Sequence, residues 1–241
     1  ILYYLALTVI SYFVLGNDQC VSASNRAIRV LFVGNSLTTY NDMPSLLERI
    51  ASTATEKRGI ETYIIASGGN SLEKVVKSRF STPSKYFKMI TSTKWDYVVL
   101  QDHSKAPISS RNQLIRSAEF LAKFNQENNA NTIFFMTWAP KSKPHQISEI
   151  SMVYNNLSKR LNSKVAPVGL AWDYVMKNSA IELYDFDGIH PNQTGSLLTA
   201  CTIFSTISDQ KCEFKSDDLP KNLPLNRAEY LRDAVWKVYS S

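Results

Sequence analysis

A general base near neutral pH is most often a histidine, and this chain has three: His103, His145 and His190. Asp187 precedes His190 by three residues, about one turn, so its carboxylate can reach one nitrogen of the ring. Pro191 biases His190 away from helical backbone, which suits a base projecting from a loop. His103 has Asp102 beside it, but adjacent side chains in an extended chain point apart. His145 lies between Pro144 and Gln146, with no acidic neighbour before Glu149. The plainer reading of His190 is an exposed loop histidine.

A base of this kind serves a nucleophile. Ser36 follows the apolar run Ile28–Val33 and the turn residue Gly34, then meets a helical pattern that begins near Met43. A serine between a buried strand and a helix sits at the carboxyl edge of a sheet, where open α/β folds bind their ligands. Its hydroxyl reacts only when a base takes the proton. The alternative is that Asn35 and Ser36 merely cap a turn. Two more clusters follow strand-like runs. Ser67-Gly68-Gly69-Asn70-Ser71 permits an unusual turn with an exposed N–H, or is a plain strand-to-helix connection. Gln101-Asp102-His103-Ser104 places a side-chain amide where it can donate into a crevice. Trp138, after the fourth strand-like run, offers a ring for stacking on a sugar, although a tryptophan there is more often core.

These clusters need a scaffold, and the apolar patterning supplies one. Strands are expected at 28–33, 62–66, 97–101, 132–137 and 165–168, each short and rich in Val, Ile, Phe or Tyr. Helices are expected at 43–57, 71–79, 84–90, 111–125, 147–162, 193–208 and 228–239; Leu114, Ala118, Leu121 and Phe124 mark one buried face. Such alternation points to a parallel sheet covered by helices on both sides, with strand order 2-1-3-4-5. No linker or repeat divides residues 27–241, so one domain is expected.

Gly34-Asn35-Ser36-Leu37, the glycine block at Gly68-Gly69 and Asp187-x-x-His190, in that order, resemble the SGNH, or GDSL-like, hydrolase superfamily. The resemblance implies a flavodoxin-like three-layer α/β/α sandwich with a five-stranded parallel sheet. It also implies ester hydrolysis through Ser36 as nucleophile, His190 as base and Asp187 as its orienting acid. The backbone N–H groups of Ser36 and Gly69 match two oxyanion donors, with Gly68 the alternative register; Asn35 and Gly68 are further candidate substrate contacts. Two positions depart from the family. Asn35 stands where an Asp is usual, and Gln101-Asp102-His103 where Gly-x-Asn is usual. Gln101 resembles a substitute found in a subgroup whose third strand ends in Leu-Gln-acid, and is the candidate third donor.

Composition narrows the class. The net charge is +6 with Lys and Arg scattered, which argues against a nucleic-acid groove. Residues 1–15 are uncharged and almost wholly apolar, and Val21-Ser22-Ala23 places small residues at a cleavage position. A signal peptide over 1–23 and an exported protein are expected, an uncleaved membrane anchor being the alternative. Cleavage leaves Cys201 and Cys212, either a disulfide or two buried thiols. There is no CxxC motif or His/Cys cluster, so neither metal nor cofactor is expected. Asn156 and Asn192 begin glycosylation sequons; Asn192 is read as a helix cap instead. The expected substrate is a small acyl ester, foremost an O-acetyl group on a carbohydrate. Acyl transfer, lysophospholipid hydrolysis and a weakly active glycan-binding module are the alternatives.

Overall fold

In β1 (Ile28–Gly34), Val30, Leu31, Phe32 and Val33 are all fully buried, as a strand covered on both faces requires. The computed structural model describes residues 26–54, 58–80 and 84–241; the expected signal peptide lies outside the described residues. β1 lies between β2 (Ile60–Ala66) and β3 (Tyr97–Leu100), and β4 (Asn131–Phe135) and β5 (Lys164–Ala166) follow. The sheet is parallel throughout, in the order β2-β1-β3-β4-β5.

Alternation along β1 divides the core into two layers. Val30 and Phe32 join one layer with α2 (Met43–Thr53), α8 (Val168–Asn178), α9 (Gln193–Ser208) and α10 (Leu225–Tyr239). Leu31 and Val33 join the other with α3 (Leu72–Lys77), α4 (Lys85–Ser92), α6 (Arg111–Glu127) and α7 (Ile147–Leu161). The fold is therefore the expected three-layer sandwich. Register opposes Gly34 to Ala66 and Val33 to Leu100, so the segments after β1, β2 and β3 leave the sheet at one edge. Among the described residues the two remaining α-helices are single turns at that edge: α1 (Ser36–Thr39) and α5 (Ala106–Ser109).

Several boundaries differ from the sequence reading. The third strand stops at Leu100, which leaves Gln101 beyond it, and the fourth stops at Phe135. The fifth covers Lys164–Ala166, and Pro167 then starts α8, a helix whose first residues read in sequence as the end of a strand. Val168, Ala171, Trp172 and Val175 form its buried face. α9 is buried around nearly its whole girth, as a helix enclosed by neighbours must be. It ends at Asp209, in left-handed backbone (φ 55°), and the returning chain brings Cys212 to Cys201, to which it is disulfide-bonded with the Cα atoms 5.5 Å apart.

Candidate active site

The Ser36 segment is fixed by its own backbone and by the two neighbouring loops. Asn35 caps α1, its Oδ1 accepting the Leu37 N–H at 3.1 Å, while its Nδ2 donates to the Asn70 carbonyl at 3.0 Å. Asn70 returns a bond from Nδ2 to the Gly34 carbonyl at 3.2 Å. Asn35 is thereby committed to structure and only 3% exposed, so it does not serve as the expected substrate contact. Ser36 becomes the first residue of α1, where a helix leaves backbone N–H groups without intrahelical partners.

The Ser36 hydroxyl lies 2.9 Å from His190 Nε2. His190 Nδ1 lies 2.5 Å from Asp187 Oδ2, and Asp187 Oδ1 accepts the N–H groups of Ile189 and His190, each at 2.9 Å. Partial burial works against the charge of Asp187. The bond to the His190 ring, the two N–H donors and the charge of the imidazolium outweigh it and hold the carboxyl at about 2. The three residues picked out by type and spacing therefore form one hydrogen-bonded line.

The structure adds residues that sequence reasoning missed. Tyr40 stacks on the His190 ring, with centroids 4.7 Å apart and planes at 22°, and its hydroxyl donates to Asp185 Oδ2 at 3.0 Å. Asn41, in left-handed backbone (φ 53°), donates from Nδ2 to the Pro191 carbonyl and to Ser196 Oγ, each at 2.9 Å. The turn after Ser36 thus grips the segment that carries His190, 150 residues further along. The only signal in sequence is an aromatic followed by two turn-forming residues, which marks many ordinary turns.

Trp138 is also corrected. It is 1% exposed, stacks on Trp172 at 3.9 Å between ring centroids, and donates its indole N–H to the Ile189 carbonyl at 2.9 Å. It cannot offer a sugar platform; it tethers the loop of Asp187 from beneath. Asn192 caps α9 through the Gly195 N–H at 2.9 Å and donates to the carbonyls of Glu182 and Tyr184, in keeping with the reading of that sequon as a cap.

Gly68 and Gly69 are exposed, and a Cβ on either would meet open space. Gly69 has φ +66°, a conformation other residues take at a cost, which explains a glycine there. Gln101 departs from expectation. Its Oε1 accepts the Asn35 N–H at 2.8 Å and the Thr38 hydroxyl at 2.9 Å, and its Nε2 donates to the Asp102 carbonyl. At 1% exposure this amide is turned inward and braces the Ser36 turn; it does not donate into the crevice. Gly34 makes room for it, since a Cβ at that position would collide with Gln101 and Thr38. Asp102 is likewise buried, and burial pushes its carboxyl up against the opposing N–H groups of His103 and Leu72. Among the described residues no cluster of three or more His, Cys, Asp or Glu is placed to hold a metal ion.

No protein-family model and no curated protein matches the chain. Solved structures do. A protein from Slackia heliotrinireducens assigned as an SGNH hydrolase is 26% identical, with a TM-score of 0.65 over 76% of this chain and 100% of that one. The chain is similar to the SGNH hydrolases, as its motifs imply. More distant structures share the hydrolase fold. They include Axe2, an acetylxylan esterase from Geobacillus stearothermophilus, at 12% identity and TM-score 0.62 over 83% of this chain and 100% of Axe2. TesA is 15% identical, with TM-score 0.57 over 75% of this chain and 98% of its own. The chain has the sheet order expected of that fold, and its Ser36, Gly69 and His190 segments stand on the loops at one end of that sheet.

Proposed function

We propose that this hydrolase is an exported serine esterase that removes small acyl groups, foremost O-acetyl groups from a carbohydrate. The observation that carries the reading is the unbroken line from Ser36 Oγ through His190 to Asp187, at 2.9 and 2.5 Å. In this reading His190 Nε2 takes the Ser36 proton as Oγ bonds to the ester carbonyl carbon. Asp187, ionised at any working pH, holds the ring's tautomer and stabilises the imidazolium. The face of Tyr40 lies against that same ring, where a cation is favoured by the electrons of an aromatic. The N–H groups of Ser36 and Gly69 meet the negative oxygen of the tetrahedral intermediate. As that intermediate collapses, the imidazolium gives its proton to the departing alcohol and an acyl-enzyme remains. Water, deprotonated by His190, then releases the acid and restores Ser36.

Carbohydrate as substrate is supported by the fold shared with Axe2, an acetylxylan esterase. Export is supported by the apolar stretch at residues 1–15 and by the Cys201–Cys212 disulfide, a bond that persists in oxidising compartments. Among the described residues no helix is long and apolar enough to cross a membrane.

The inward amide of Gln101 favours one alternative, a glycan-binding module whose oxyanion hole, short of a donor, turns over slowly. A fluorophosphonate that reacts with activated serines separates the two. An esterase is labelled as wild type and unlabelled as Ser36→Ala, and that variant loses about 10⁴-fold or more in kcat on p-nitrophenyl acetate. Equal labelling of both proteins removes Ser36 from the mechanism. No labelling of wild type, with carbohydrate binding retained, supports the module.

A further inference from the structure

A cavity of about 600 Å³ borders the acid of the relay, and its lining includes Asp187 but neither Ser36 nor His190. Asp187 lies one imidazole ring away from Ser36 Oγ, so a sugar whose ester carbonyl is placed at Ser36 has room to continue into this cavity. Three lysines line it: Lys105 before α5, and Lys141 and Lys143 on the loop after β4. Lys141 is paired with Glu182. Among the described residues Lys105 and Lys143 have no carboxylate partner, and both are exposed. Phe186 completes the wall with 97% of its surface exposed.

Isolated exposed hydrophobic residues are common, but the backbone that carries Phe186 is held in place. Its N–H donates to Asp185 Oδ1 at 2.8 Å; the turn closes through Gly188 N–H to the Asp185 carbonyl at 3.0 Å, and Lys141 N–H pins the Gly188 carbonyl at 2.9 Å. An apolar ring on a fixed turn, lining one cavity with two unpartnered cations, suits a ligand with a flat C–H face and a negative charge. We propose that this cavity is a subsite for a carboxylate-bearing sugar, a uronate unit neighbouring the esterified residue. Phe186 stacks on the ring while Lys105 and Lys143 attract the carboxylate. The proposal deepens the esterase reading and rests on it for the place of the scissile bond. A lysophospholipid headgroup also carries an anion but offers no flat face to Phe186.

The test compares acetylated oligogalacturonate with a neutral acetylated xylo-oligosaccharide of equal length, and with a lysophospholipid. Wild type is expected to favour the acidic oligosaccharide through KM by about tenfold, an advantage that shrinks in roughly 0.5 M NaCl as added salt screens exposed charges. Lys105→Ala combined with Lys143→Ala is expected to abolish that advantage, and Phe186→Ala to raise KM for both oligosaccharides. Calorimetry of unacetylated oligogalacturonate binding to Ser36→Ala tests the cavity without any hydrolysis. Lysine-dependent binding there upholds the subsite even where no esterase activity is found. Salt-independent KM, equal preference for the two oligosaccharides, preference for the lysophospholipid, or binding indifferent to the lysines each overturns it.

Discussion

Gln101 shows how far a residue's type can be read without its surroundings. At the end of the third strand a side-chain amide is the right group for an oxyanion donor, and nothing in the local sequence argues otherwise. The structure uses both ends of that amide elsewhere: the oxygen holds the Asn35 N–H and the Thr38 hydroxyl, and the nitrogen holds the Asp102 carbonyl. The two roles predict different variants. A donor facing solvent can be removed with a loss of about 10²–10³ in kcat and no loss of stability. Removing the brace in Gln101→Ala leaves buried donors without an acceptor, at about 1–3 kcal/mol. The expected outcome is a lower melting temperature together with reduced kcat. A melting curve unchanged from wild type, with kcat alone reduced, would return Gln101 to the oxyanion hole.

Elements are legible in the sequence where periodicity is strong and the surroundings simple. Gln193–Ser208 and the strand starts at Ile28 and Tyr97 stand where the sequence puts them, because apolar spacing alone specifies them. α8 is not legible. Val168, Ala171, Trp172 and Val175 carry a helical stripe, but it begins at the end of an apolar strand and after a proline, and the strand-like run hides it. The disulfide is open in the sequence because it depends on where α9 ends. Left-handed Asp209 settles that, and Cys212 folds back on Cys201. Closing a loop with a sequence separation of 11 restricts the unfolded chain, an effect of about 2–4 kcal/mol. Cys212→Ser is expected to lower unfolding stability by that amount in denaturant titration, and reducing the wild type is expected to give the same value. Agreement of reduced and oxidised wild type would show that the bond contributes nothing to the folded balance.

For the whole molecule, the sheet brings Ser36 and His190 together across 154 residues of sequence. The catalytic candidates are legible because each stands at a strand end or loop with a distinctive neighbour: glycine for Ser36, an acid one turn away for His190. Tyr40 and Asn41 are not, because their partners Asp185, Pro191 and Ser196 are distant in sequence and only the fold brings them near. The same assembly sets how stability responds to pH. Burial works against the charges of Asp96 and Asp187, but the Arg26 bond for the one and the His190 bond for the other outweigh it and hold both carboxyls below their ordinary 3.8. A lowered carboxyl contributes stability that is complete above its ordinary value and is lost as pH falls through its folded value, about 2 for Asp187. Asp102 has the opposite sign. Burial raises it, so its contribution is complete below 3.8 and is lost as pH rises through its folded value. The melting temperature is therefore expected to fall as pH drops below about 4, as the lowered carboxylates take up protons. The difference between wild type and Asp102→Asn isolates the buried group. It is expected to favour wild type most at about pH 3 and to shift toward the variant by about pH 7, as the buried carboxyl is forced to ionise. Calorimetric scans of both proteins across that range decide it, and a difference that stays constant with pH means that Asp102 titrates alike in the folded and unfolded chains.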